Sequence, residues 1–138
     1  IAAAFMLGAR GVQCGTRFLC AEECQIHPNY KQKVLAARDI DTVVTGRRLG
    51  HPVRCLRNPL SRQIGLMEYD SAKSNEEIER LGAGSLRRAA VEGDTETGSF
   101  MAGQIAALVK CVKPAREIIV EMFREAEKLL SEGARWVR

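Results

Sequence analysis

The stretch Gly11-Val-Gln-Cys-Gly-Thr-Arg-Phe18 carries the residue types best suited to chemistry. A strand over Gly11–Cys14 that ends on Gly15 lets the backbone turn sharply and approach a ligand closely. The amides of Gly15 and Thr16, together with the Thr16 hydroxyl, can then donate to a phosphate, because main-chain N–H groups at such a turn form an anion nest. A plain turn between a strand and a helix has the same spacing, and at this point both readings stand.

Other reactive side chains are less suggestive. The five cysteines, Cys14, Cys20, Cys24, Cys55 and Cys111, are odd in number and irregular in spacing. That pattern argues for reduced thiols in a cytoplasmic protein. Cys20, Cys24 and His27 share a face if the segment is helical, but the chain has no CxxC pair, and the spacing does not suit a closed zinc site. No metal centre is expected. His51, in Gly50-His-Pro52, is of a residue type used in acid–base catalysis. It has no carboxylate close in sequence to act with, so it reads as a structural or surface residue. His27, directly before Pro28, reads as structural too.

The 138 residues are 46% hydrophobic and 28% charged, which excludes a disordered tail. No apolar run approaches the ~20 residues of a membrane helix. Lys and Arg number 21 against 17 Asp and Glu, a formal charge of +4. The excess is local: Thr42 to Ile64 holds Arg47, Arg48, Arg54, Arg57 and Arg62 and no acid. Such a field favours an anionic partner, either a phosphate or an acidic protein. Nucleic acid is disfavoured, since no aromatic platform interleaves with the basic residues.

The elements that must position these groups are mostly helical. Residues 1–9 read as the end of an amphipathic helix stopped by Gly8. A helix is expected over Cys20–Gln25, and another over Pro28–Arg38 with Pro28 in its first turn. Asp41–Thr45 is a second strand candidate, and 46–59 reads as irregular because of Gly50, Pro52 and Pro59. Leu60–Tyr69 is expected to be helical. Ser74-Asn-Glu-Glu77 has capping-box spacing for a helix ending at Gly82. Ser85 is placed to cap Leu86–Val91, and Ser99 to cap a helix reaching Lys110. Pro114 opens the last helix, whose stripe is Ile118, Ile119, Met122, Phe123, Ala126, Leu129 and Leu130. Two isolated strands cannot bury their faces, so a piece of a βα-repeat protein explains the pattern better than a self-contained helical domain.

Several blocks carry a resemblance. Gln13-Cys-Gly-Thr-Arg-Phe18, Asp41-Thr-Val-Val-Thr-Gly-Arg47, Gly50-His-Pro-Val-Arg54, Gly82-Ala-Gly-Ser-Leu-Arg87, Glu92-Gly-Asp94 and Gly98-Ser-Phe-Met-Ala-Gly-Gln-Ile105 follow one another in a familiar order. They resemble the FMN-dependent enoyl-acyl-carrier-protein reductases, relatives of the nitronate monooxygenases (2-nitropropane dioxygenases). The resemblance covers essentially the whole chain. It implies an α/β fold, the C-terminal portion of a TIM (β/α)8 barrel, in which a phosphate site lies after strands 7 and 8. Residues 1–40 would be the last βα unit with the phosphate turn, 41–98 an irregular and helical insertion, and 99–138 C-terminal helices. Cys14 stands where the family usually has Met.

The resemblance also implies function. FMN would be held by Gln13, Cys14, Gly15 and Thr16, with Gln104 and the small residues 102–103 near the flavin or acyl pocket. NADH or NADPH would be co-substrate, and a 2-enoyl thioester on acyl carrier protein the substrate, in bacterial fatty-acid synthesis. A monovalent cation and a homodimer are further expectations without assigned residues. The proton donor of the family lies upstream of this chain, so no catalytic residue is expected here, and the piece alone should be inactive. Arg47, Arg48, Arg54 and Arg57 are candidates to meet the acidic carrier protein. The alternatives are a nitronate monooxygenase on the same scaffold and a non-catalytic helical module that binds an acidic protein.

Overall fold

The computed structural model describes residues 1–136, apart from the side chains of Ala134 and Trp136. Residues 137 and 138, at the end of the expected C-terminal helices, lie outside the described residues. The helices are α1 (Ala2–Met6), α2 (Thr16–Leu19), α3 (Pro28–Leu35), α4 (Pro59–Tyr69), α5 (Asn75–Gly82), α6 (Ser85–Arg87) and α7 (Ala115–Glu132). A π turn, Arg88–Glu92, extends α6, and 3-10 turns cover Gln104–Leu108 and Gly133–Trp136. Strands β1 (Thr42–Thr45) and β2 (Val53–Leu56) form an antiparallel hairpin that pairs Thr42 with Leu56 and Thr45 with Val53.

Local signals explain most helix starts. In α5, Ser74 Oγ accepts from Glu77 N at 3.2 Å, while the Glu77 carboxylate accepts from Ser74 N at 2.9 Å. This is the expected box, with two orphan amides satisfied reciprocally. His27 Nδ1 accepts from Asn29 N at 3.1 Å and caps α3, so His27 is structural. Asn58 caps α4 by accepting from Ser61 N at 3.0 Å, and its amide donates to Thr95 O and Gly98 O at 3.1 and 2.8 Å. One buried side chain therefore starts a helix and closes the Glu92–Gly98 loop.

The structure departs from the sequence expectations in several places, among them the start of α6, where Gly84 and not Ser85 holds the N-cap position. Residues 11–14 are irregular, for no strand among the described residues lies beside them to form a ladder. Cys20–Gln25 is a turn region, not a helix. There Glu22 N donates to Lys113 O and Lys113 N to Cys20 O, at 3.0 and 3.3 Å. The segment 46–59 contains β2: its glycines belong to the hairpin tip, where Gly46 has φ +80° and an added Cβ would lie 2.4 Å from His51 O. His51 sits exposed on that tip. Finally, Ser99–Gly103 is extended rather than helical. Ala102 N donates to Arg54 O (3.2 Å), and Phe100 O accepts from Leu56 N (2.8 Å), which adds an edge to β2.

The core gathers on that extended segment. Phe100 is fully buried and packs its ring against Tyr30, with centroids 4.8 Å apart and planes tilted by 57°. Cys20, Val34, Ala37, Leu56, Ala89, Ala102, Ala106 and Val109 complete the cluster. The α7 stripe is covered only along one edge. Ile118 and Ala126 are buried, whereas Ile119, Phe123, Leu129 and Leu130 are exposed. None of the described helices is long and apolar enough to cross a membrane.

Tyr30 donates its hydroxyl to Met101 O at 2.7 Å, and burial pushes its pKa up to about 12. The folded state thus holds the phenolic proton more tightly than the unfolded chain, where the pKa is about 10. The resulting stability is complete below pH about 10 and is lost as pH rises towards 12. Tyr30→Phe is expected to cost about 1 kcal/mol at neutral pH and to flatten the alkaline loss. Denaturant unfolding of the whole protein between pH 8 and 12 measures both effects.

Candidate functional site

Gly15 holds the N-cap position of α2 in ordinary right-handed backbone, with φ -98°, and the Thr16 side chain finds a distant anchor. Thr16 Oγ1 accepts from Gly103 N at 2.9 Å, across 87 positions of sequence. A Cβ at Gly103 would stand 3.4 Å from that oxygen, so a side chain there would crowd the bond. The two segments singled out in the sequence, the Gly-Thr turn and the small residues 102–103, are therefore joined directly.

A cleft of about 740 Å³ opens beside this junction. Gln13, Cys14, Gly15 and Thr16 all line it. Gln104 is exposed and is not among its lining residues, so the structure does not bring it to the other four. The opposite wall comes from Ile105, Leu108 and Val109, and from Ile118 and Met122 of α7. Arg17, Lys110 and Lys113 bring positive charge, opposed by Glu121 and Glu125. Lys110 and Lys113 escape a sequence reading because they reach the cleft through the tertiary fold, Lys110 from the end of a stretch expected to be helical and Lys113 from the connection before Pro114.

The donors of the turn are free to act. The amides of Gly15, Thr16 and Arg17 donate to no group among the described residues, as expected for the orphan first turn of a helix. Thr16 Oγ1 accepts from Gly103 but keeps its own proton available to donate. Arg17 places one guanidinium nitrogen 3.2 Å from Cys111 O. A four-residue helix carries little macrodipole, so any anion affinity rests on these amides, the hydroxyl and the nearby cations.

Charged contacts fix the far wall. Glu23 accepts Ala115 N with both carboxylate oxygens, at 2.8 and 3.1 Å, which caps α7 from 92 positions away. That bond holds the Glu23 carboxyl below the usual carboxylate range. Lys113 donates to Glu121, which raises the lysine pKa and lowers that of the glutamate. The Cys20 thiol is buried, and its pKa is pushed up by that burial. Its Sγ faces Lys31 O, and His27 Nδ1 is committed to its cap, so the structure gives both residues packing and capping roles.

Comparison with known proteins follows the same geometry. The family model for nitronate monooxygenase matches residues 1–125. The chain belongs to the nitronate monooxygenase family. It is 30% identical over 132 residues to a "probable nitronate monooxygenase" of Staphylococcus saprophyticus, covering 95% of this chain and 36% of that protein. A Bacillus subtilis protein of the same name is 43% identical over 58 residues, 42% of this chain and 17% of that one. FabK from Thermotoga maritima superposes with a TM-score of 0.92 at 46% identity, covering 99% of this chain and 43% of that structure. The fold is accordingly α/β, a portion of a TIM barrel, mostly helical here with two short strands. The chain spans about two-fifths or less of the length of these relatives.

Thr16→Val keeps the side-chain shape and removes the acceptor, leaving Gly103 N without a partner. It is expected to destabilise the whole protein by about 1–3 kcal/mol, while Thr16→Ser stays within about 1 kcal/mol of the parent because the hydroxyl remains. Thermal or denaturant melting of the two variants checks the ranking.

Proposed function

We propose that this chain supplies the phosphate-binding end of a flavin site in an FMN-dependent oxidoreductase, an enoyl-acyl-carrier-protein reductase of type II fatty-acid synthesis in the bacterial cytoplasm. The observation that carries the reading is the Gln13–Thr16 turn, with its unengaged amides, opening onto the 740 Å³ cleft. The similarity to FabK over nearly the whole chain supports it.

The residues present fit the phosphate end of FMN. Two or three aligned amides, a hydroxyl and a neighbouring guanidinium form the donor set that a phosphate dianion needs. Ile105, Leu108 and Met122 give the same cleft an apolar side, which suits a ring system. When bound, FMN supplies hydride transfer between a nicotinamide and the enoyl thioester. The part of this chain is to hold and orient. Gly15 leaves the main chain uncovered, Thr16 locks the turn to Gly103, and Arg17 offsets the phosphate charge, while Lys113 is held by Glu121. NADH or NADPH as co-substrate and acyl carrier protein as substrate carrier belong to this proposal, as does a monovalent cation whose ligands have no assignment here. The exposed apolar residues of α1 and α7 are where the remainder of the barrel packs.

A nitronate monooxygenase on the same scaffold is the second reading, favoured by the family model and the names of the curated relatives. The assay separates the two. The whole protein is expected to oxidise NAD(P)H only when a neutral enoyl thioester is added. Oxygen-dependent consumption of an alkyl nitronate without thioester turnover would overturn the reductase reading. Arg17→Glu places a negative charge beside the phosphate turn, and it is expected to weaken FMN binding by about tenfold or more. Titrating apoprotein with FMN and following flavin fluorescence measures the change; unaltered affinity would move the phosphate elsewhere.

A further inference from the structure

The basic stretch between residues 42 and 64 resolves into two kinds of arginine. Arg48 is structural: its guanidinium donates to Met67 O, Asp70 O and Lys73 O at 3.3, 2.9 and 2.6 Å. Arg54 is half-buried and donates to Thr42 Oγ1 at 3.0 Å. Arg57, whose guanidinium donates to Ile40 O at 3.4 Å, and Arg62 line an open cleft of about 600 Å³ on the outer side of α3 and the hairpin. Lys33 and Arg38 join them there, with Asp41 as the one carboxylate. Arg38 is paired with Asp41 through two nitrogens, at 3.1 and 3.0 Å. The surplus positive charge therefore rests on Lys33, Arg57 and Arg62. Asp41 is held below the usual carboxylate range, first by the Arg38 hydrogen bond.

An apolar ridge runs beside this charge. Arg62, Leu66 and Tyr69 stand at i, i+4 and i+7 on α4, so they share one face. Leu66 is 75% and Tyr69 90% exposed, and Ile40, on the cleft wall, is 64% exposed. A second cleft, of about 440 Å³, lies under Leu66 and Tyr69 and shares Arg57 and Arg62 with the first. The surface is thus continuous, combining arginines, an exposed tyrosine and aliphatic side chains. Arg and Tyr are enriched at protein interfaces, and a rim of one sign of charge speeds encounter with the opposite sign. This surface shares no lining residue with the cleft of the Gly-Thr turn. The two flank the same segment, since Lys110 of that cleft reaches Ala37 O of this one at 3.4 Å.

We propose that the face formed by Arg57, Arg62, Ile40, Leu66 and Tyr69 docks an acidic protein segment with an apolar ridge, namely the carrier protein that presents the acyl thioester. The inference rests on the reductase reading for the identity of that partner. Charge complementarity selects the occupant: the one carboxylate on the cleft wall, Asp41, is already paired with Arg38, which leaves Lys33, Arg57 and Arg62 in excess. Arg47 and Arg57 remain from the sequence expectation, Arg47 as an exposed neighbour on the hairpin tip, while Arg48 and Arg54 are replaced by Arg62 and the ridge.

Binding of fluorophore-labelled acyl carrier protein to the whole enzyme, read by anisotropy, tests the docking apart from catalysis. Arg57→Glu/Arg62→Glu is expected to weaken binding by about tenfold or more, and raising the salt should weaken the parent likewise. Leu66→Ser/Tyr69→Ala is expected to weaken it by about fivefold with the charges intact. In turnover, the charge variant should raise KM for the carrier-bound enoyl thioester and leave an enoyl N-acetylcysteamine thioester, which is neutral, within about twofold. Unchanged carrier binding in both variants overturns the docking. So does a rise in KM for NADPH with either thioester, which would make the dinucleotide the occupant. Protection of Tyr69→Cys from a thiol reagent in the free whole enzyme, where one additional adduct is expected, overturns it as well, because the rest of the protein or a second copy would then cover the ridge. Absence of turnover with both thioesters sinks the reductase reading alone, and the anisotropy still decides the docking.

Discussion

Between Ser99 and Gly103 the chain runs extended and shares its main-chain hydrogen bonds among four neighbours. Ser99 N goes to Ser85 O of α6, Phe100 O and Ala102 N engage β2, Met101 O receives the Tyr30 hydroxyl of α3, and Gly103 N finds Thr16 of α2. A helix over the same residues would have turned these groups inward onto itself. Because they point outward instead, elements from four parts of the sequence are held against one backbone. Burial of Phe100 in the middle adds the apolar contribution that makes the arrangement worth ordering.

The loops are organised by a few polar side chains that act at long range. Asn58 links α4 to the Glu92–Gly98 loop, and Glu23 caps α7. Gly93 and Gly98 allow that loop to lie close. A Cβ at Gly93, where φ is +67°, would overlap the His27 ring, and one at Gly98 would fall 2.3 Å from Asp94 O. Asp94 in turn accepts from Glu96 N and Thr97 N, at 2.8 and 3.0 Å, which folds the loop on itself. Each of these groups satisfies a backbone donor or acceptor that loop geometry would otherwise leave without a partner.

Features governed by neighbours in sequence were readable from the sequence. Pro28, Pro114 and the Ser74–Glu77 box mark helix starts through residues close in sequence, a fixed proline φ in two cases and a reciprocal cap in the third, although the amide cap of α7 comes from distant Glu23. Gln13–Thr16 stood out through the longer block Gln13-Cys-Gly-Thr-Arg-Phe18 and its order relative to the other blocks, not through Gly-Thr alone. The failures have a common cause. The small residues 102, 103, 106 and 107 have a helical rhythm, yet the decision at 99–103 was made by β2, Tyr30 and Thr16, which lie from about 40 to 90 positions away. Val53–Leu56 was hidden by the glycines and proline of its own turn, and its pairing with β1 is again a tertiary choice. Lys110 and Lys113 join the cleft for the same reason. The α7 stripe was legible as a stripe, but its burial was not: among the described residues only Ile118 and Ala126 of it are buried.

Arg48 ties two elements together. It sits on the hairpin tip, and its guanidinium collects three carbonyls from the end of α4 and the turn after it, while Glu68 accepts its amide. The tip at residues 46–50 is thereby fastened to α4 on one side and continues through β2 on the other, where Leu56 N and Arg54 O bond the extended segment whose Gly103 N meets Thr16.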